Sequence, residues 1–150
     1  MSIEKDINQS SFKNEHQKAV INLIYTYNWT TEQIKVVLDK SELTLQQFNI
    51  LRILRGSDKP LSTLQIRERM LDKMSDTSRI VDRLVIKGHV KKNICKTDKR
   101  LVDVSITEKG KKCLQMLDLQ DDELQNVVHA LSAAEAKTLN KLLDKIRESK

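Results

Sequence analysis

The sequence predicts a mainly α-helical fold with one small β-hairpin, an α+β class, and three observations carry that expectation. Apolar residues recur at steps of three and four along most of the chain. Ser or Thr stands three residues before Gln or Glu at Thr30, Thr44, Ser62 and Ser132, the pattern of a helix-capping box. Only the stretch around residues 90–106 switches to a period of two, as a half-buried hairpin does.

Taken in order, the first dozen residues are polar and expected to fray. Val20, Ile24, Tyr27, Thr31, Ile34 and Leu38 then form a helical seam. Thr30-x-x-Gln33 offers a restart there, but the seam crosses it without a phase slip, so one continuous helix is expected. Thr44-x-x-Gln47 opens a helix with Phe48, Leu51 and Leu54, and Gly56 closes it. After Pro60, Ser62-x-x-Gln65 opens a short helix with Leu64, Ile66 and Met70. About four residues on, Ser75 is expected to cap "DTSRIVDRLVIK", which Gly88 ends in a left-handed conformation. Val90–Ile94 and Val102–Ile106 alternate as two half-buried strands. Thr107 caps a further helix with Gly110 in its first turn, and Leu114, Leu117, Leu124, Val128 and Leu131 continue it as one long element. Ser132-x-x-Glu135 starts the last helix, with Leu139, Leu142, Leu143 and Ile146.

The 150 residues suit a single domain, 1–150, with 39% hydrophobic and 32% charged residues. No apolar run approaches the roughly 18 residues of a membrane span, and "MSIEKDINQSSFKNE" holds no apolar signal core, so a cytoplasmic chain is expected. Two Cys (Cys95, Cys113) and three scattered His match no zinc or redox spacing. Neither a metal nor a cofactor is expected, and Cys95 reads as an inert thiol. A Gly-rich phosphate loop, a Ser/His/Asp or Cys/His set and HExxH are all missing, so no enzyme is expected.

Charge is unevenly placed. Residues 1–54 carry 6 cations and 6 anions, residues 55–100 carry 13 and 6, and residues 101–150 carry 8 and 9. The net values 0, +7 and −1 sum to +6, so the whole excess lies in the middle third. Such a patch is the footprint of a polyanion-binding face, although a merely solvated basic surface has the same composition.

A helix-turn-helix followed by a two-stranded hairpin is a winged helix. "LTLQQFNILRIL", "STLQIRERM", "TSRIVDRLVIKGHV", "DKR" and "VSITEKG", in this order, resemble the MarR (multiple antibiotic resistance regulator) family. The resemblance covers the chain beyond about residue 15, and Leu43–Gly110 is its diagnostic block. It implies a homodimeric transcriptional regulator with dimerisation helices over 13–40 and 111–150 and a DNA-binding winged helix-turn-helix over 41–110. It further implies a small aromatic ligand near the junction of the two parts.

On a helical wheel Thr77, Ile80, Val81 and Leu84 face one way, while Ser75, Arg79 and Asp82 face the other, flanked by Ser78 and Arg83. A helix in the major groove needs this division, apolar behind and hydrogen-bonding in front. Ser75, Asp76, Ser78, Arg79 and Arg83 are therefore the candidate DNA contacts of this helix. An ordinary solvated amphipathic helix would show the same wheel. Ile86 is an apolar residue on the outer face that this reading leaves unexplained. In the hairpin turn "KTDKR", Asp98-x-Arg100 matches the family's wing motif, which implies that Arg100 enters the minor groove and Asp98 orients it. Lys96 and Lys99 would meet phosphate. Ser62 and Thr63 are phosphate-contact candidates at a helix start, although plain capping accounts for Ser62 equally well.

The long first seam and the last helix suit a homodimer reading a pseudo-palindromic operator. An intramolecular packing on residues 44–55 is the competing reading. Tyr25, Trp29 and Phe48 are candidate pocket residues for the implied ligand, with simple core packing as the alternative. The expected function is sequence-specific double-stranded DNA binding by a transcriptional repressor released by a small ligand. The rival is a winged-helix protein-interaction module that does not touch DNA, favoured by the acids Asp76 and Asp82.

Overall fold

A computed structural model of the chain describes residues 2–94, 96–98, 102–119 and 126–148. The described elements run α1 (Ile3–Asp6), α2 (Glu15–Asp39), α3 (Leu45–Arg55), β1 (Leu61–Ser62), α4 (Thr63–Arg69), α5 (Thr77–Ile86), β2 (Val90–Ile94), β3 (Val102–Ile106), α6 (Glu108–Asp118), a 3-10 turn (Asn126–Val128) and α7 (Ala133–Glu148). The antiparallel sheet has the order β1-β3-β2, with Leu61 opposite Val104 and Val90 opposite Ile106. The mainly helical α+β class is as the periodicity indicates.

Local capping chemistry sets most helix starts. Thr44 accepts from the Gln47 amide while Gln47 reaches back to the Thr44 amide. Ser62 and Gln65 do the same for α4, and Ser132 and Glu135 for α7. Each box satisfies two backbone donors that a helix start otherwise leaves unpaired. α2 is continuous through residues 28–31, without the restart that Thr30-x-x-Gln33 offered, and the Thr31 hydroxyl donates to the Asn28 carbonyl at 2.8 Å within it. At the far end of α5, Gly88 has φ +77°, and the amides of Gly88 and His89 donate to the carbonyls of Val85 and Leu84. That is a Schellman ending, which glycine accepts without strain.

The core is made by the winged unit. Leu38, Ile50, Leu51, Leu61, Ile66, Val81, Leu84, Val104 and Leu114 are fully buried together, so the tail of α2, then α3, β1, α4, α5, β3 and α6 converge on one cluster. Thr107 closes the hairpin base: its hydroxyl donates to the Gly88 carbonyl at 2.6 Å and accepts from the Gly110 amide. A Cβ on Gly110 would stand 2.3 Å from the His89 carbonyl oxygen, so only glycine lets α6 approach there.

Several expectations are corrected. The N-terminal segment is not all loose: Ile3 of α1 is buried, and Glu4 pairs with Lys18 of α2 at 2.5 Å. The Lys18 hydrogen bond holds the Glu4 carboxyl down at about 2. The cap of α5 is Asp76 rather than Ser75, and the connection from α4 spans residues 70–76 rather than about four residues. Met70 leaves α4 in an extended conformation, and the Asp72 carboxylate accepts from the Met74 amide, so a wider turn forms. Leu64 is exposed, not part of the core. β3 is half-buried as expected, with Val104 in the core, but β2 is buried only at Val90, and Lys91–Ile94 are exposed. The expected long helix after Thr107 does not run on through Val128, which sits in the 3-10 turn; Leu124 lies outside the described residues.

Candidate nucleic-acid interface

α5 is built to lie on the core with one face only. Thr77, Val81 and Leu84 are buried and Ile80 is half-buried, while Ser78, Arg79, Asp82 and Arg83 are exposed. Its first turn is fixed by Asp76, whose carboxylate accepts from the Arg79 amide at 3.2 Å. Ser75 precedes the helix, half-buried, and its hydroxyl donates to the Asp72 carbonyl at 2.7 Å. The Leu71 amide donates to the Asn49 side chain at 2.9 Å, tying the turn to α3. The reading face is thus held by α3 and α4 rather than floating. Asp82 on its outer side pairs with Lys92 of β2, which fixes α5 against the hairpin. Sequence reasoning missed that pair, because ten residues and a strand boundary separate the partners.

The helix-turn-helix and hairpin expose many cations: Arg67 and Arg69 on α4, Arg79 and Arg83 on α5, and Lys91, Lys92 and Lys96 along the hairpin, of which Arg67 lies in the groove beside the start of α5 and Lys92 pairs with Asp82. Thr63 is half-buried at the start of α4, beside the face, and Ser62 is committed to its capping box. On the turn of the hairpin Asp98 is half-buried and Lys96 exposed. Lys99, Arg100 and Cys95 lie outside the described residues. Burial pushes the Cys113 thiol up from its ordinary value.

The three pocket candidates are not brought together. Tyr25 and Trp29 line a groove between α1 and α2, whereas Phe48 is buried in the core with the Arg52 guanidinium over its ring. A different groove, of about 520 Å³ and mostly apolar, opens where α2 meets the winged unit. Tyr27 and Ile34 form one wall, and Leu45, Met70 and Leu71 form the other. Tyr27 and Leu71 leave large apolar surface at this groove, 66% and 79% exposed, which the spacing of the sequence does not show.

Among the described residues, none forms a cluster of three or more His, Cys, Asp or Glu fit for a metal, and no helix is long and apolar enough to cross a membrane.

The MarR family model matches residues 43–102, the segment that holds α3, β1, the helix-turn-helix and β2 and stops at the first residue of β3. No curated protein matches the chain's sequence. Solved structures do resemble it. A MarR variant from E. coli complexed with operator DNA has a TM-score of 0.79 at 24% identity, covering 91% of this chain and 99% of that one. A MarR transcription factor from Planctomyces limnophilus has a TM-score of 0.66 at 29% identity, covering 89% and 98%. Bordetella bronchiseptica BpsR, whose DNA binding is regulated by 6-hydroxynicotinic acid, has a TM-score of 0.78 at 20% identity, covering 94% and 100%. The MarR resemblance read from the sequence is borne out, and the winged helix-turn-helix has the fold of these structures.

Proposed function

We propose that this chain, with its MarR-type winged helix, is a sequence-specific double-stranded DNA-binding transcriptional regulator that works as a homodimer on a pseudo-palindromic operator. One observation carries the reading: α5 buries its apolar face and presents Ser78, Arg79 and Arg83 outward, within the segment that holds the chain's whole net charge. Arg79 pairs with a guanine edge in the major groove, and Ser75, Ser78 and Arg83 contact bases or phosphate beside it. Arg100 enters the minor groove with Asp98 orienting it, while Lys96 and Lys99 meet phosphate. Thr63 adds a phosphate contact at the start of α4. The rival reading rested on Asp76 and Asp82. The first caps α5 and the second faces Lys92, so neither stands as a bare charge against phosphate.

The homodimer is supported by apolar surface that one chain leaves uncovered. Val20, Ile24 and Tyr27 of α2 are 56%, 59% and 66% exposed, and Leu139, Leu142 and Ile146 of α7 are 40%, 54% and 53% exposed. Covering both in a second copy makes residues 13–40 and 111–150 the dimer base and leaves 41–110 as the reading unit. We read the protein as a repressor whose DNA affinity a small aromatic ligand lowers. The groove between Tyr27, Met70 and Leu71 suits that ligand, since the same turn holds the start of α5.

The test is titration of duplex from the chain's own upstream region at several salt concentrations. Affinity falls steeply with salt, with a log–log slope of about −0.9 per phosphate contact. Arg79→Ala and Arg100→Ala each cost about 1–3 kcal/mol. Affinity that is flat with salt and indifferent to both substitutions contradicts the reading.

A further inference from the structure

Beside the start of α5 the molecule leaves two large apolar side chains in water. Leu64 of α4 is 64% exposed and Met74, in the turn, is 93% exposed. Leu64 is out of phase with the buried Ile66 by two residues, or about 200° around the helix, so α4 holds it away from the core. A single exposed Leu or Met is ordinary. These two are not scattered: they line one groove of about 510 Å³ together with Thr63, Arg67, Ser75, Asp76 and Ser78. The groove therefore combines apolar walls, hydroxyls, the Arg67 cation and the Asp76 carboxylate, which is engaged in capping α5. Arg79 stands exposed one residue beyond Ser78.

We propose that Leu64 and Met74 read thymine 5-methyl groups in the major groove, making them specificity-determining residues for the operator. The inference rests on the DNA-binding reading above. The thymine methyl is the one apolar feature that a major-groove edge presents, and apolar side chains recognise it by contact. Charge complementarity selects this occupant over an apolar protein partner: the surrounding segment carries the net +7, Arg67 lines the groove and Arg79 flanks it, while Asp76, the acid in the lining, is engaged with the Arg79 amide. Arg79 and the two side chains then split the labour. The guanidinium selects a guanine edge, and Leu64 and Met74, together in the adjoining groove, select thymine beside it. Removing one methyl from such a contact loosens binding about fourfold.

The experiment uses the full chain and duplexes selected by it from a random pool. Each thymine of the selected site is replaced singly by deoxyuridine, which deletes only the methyl, and affinity is read by fluorescence anisotropy. The expected result is one or two thymines per half-site whose demethylation weakens wild-type binding about fourfold, a loss that vanishes in Leu64→Ala or Met74→Ala. Both side chains are exposed, so neither variant disturbs the core, and the deoxyuridine arm needs no variant at all. Salt-dependent duplex binding that ignores every demethylation overturns the thymine assignment and leaves the DNA reading standing. A loss that persists in both variants also overturns it, by assigning the methyl to another residue. Failure to select or bind any duplex, including the case where the groove takes a protein instead, overturns both readings together.

Discussion

The winged unit and the terminal helices use similar apolar residues to opposite ends. In the unit, Ile50, Leu51, Ile66, Val81, Leu84 and Val104 are fully buried within one chain. In the N-terminal half of α2 and along α7, Val20, Ile24, Leu139, Leu142 and Ile146 stay in solvent, and none of α7's residues is buried. Hydrophobic content alone does not separate the two regions. Whether the chain itself supplies the facing surface does. The unit closes on itself because α3 lies against α5, α6 and β3 at once, whereas the outer half of α2 and all of α7 project beyond it. A region finished within one chain should keep its stability at any concentration, and an unfinished one should depend on concentration.

That contrast can be broken or sharpened by substitution, and the largest effect is expected inside the unit. Leu51→Ala should cost about 2–5 kcal/mol of unfolding free energy, because it empties a fully buried site. Denaturant melts at two protein concentrations should give the same loss. Truncation of the exposed seam should behave differently. Ile24→Ala or Leu142→Ala should weaken self-association by up to about 1.5–3 kcal/mol each, read by sedimentation, with the unit's own unfolding unchanged. Asp76→Ala removes the cap of α5 and should cost about 1 kcal/mol in the same melts. Smaller still is Lys92→Ala, which should cost less than about 1 kcal/mol, since both partners of the Asp82 pair are more than a third exposed.

A pH series separates the regions again. Burial above all, and then the nearby Lys109 and Lys87 cations, holds the His89 imidazole below its ordinary value. Folding therefore favours the neutral ring, and the unfolded chain takes up the proton first as pH falls through about 6.5. The His89 contribution is present above that pH and lost below it. The unit should lose stability on acidification from pH 7 toward 5, and His89→Gln should flatten the change.

What was legible in the sequence was local. Thr44, Ser62 and Ser132 cap as their spacing says, because a capping box is settled within four residues. Thr107 likewise caps α6 as its type says, and Gly88 and Gly110 stand where a left-handed backbone and a close approach require glycine. Features made by distant partners were hidden. β1 has two residues and exists only because Val104 and Asp103 face it. α1 is ordered through Lys18. The seam suggested by Val128 and Leu131 was a matter of spacing alone, without a capping signal to support it. On α5 the inner and outer faces followed from the wheel, whereas the capping role of Asp76, one of the contact candidates, did not. Leu64 looked like core because its type was weighed before its phase. Ile86, also on the outer face and 85% exposed, has no explanation in the structure.

The account depends most on two unfinished terminal regions completing each other around one duplex. Sedimentation of the full chain with its selected palindromic duplex tests this directly. The account predicts a dimer at micromolar concentration and two chains per duplex, with a duplex carrying one half-site bound far more weakly. A monomer that binds half-site and full-site duplexes equally well, one chain per site, would contradict it.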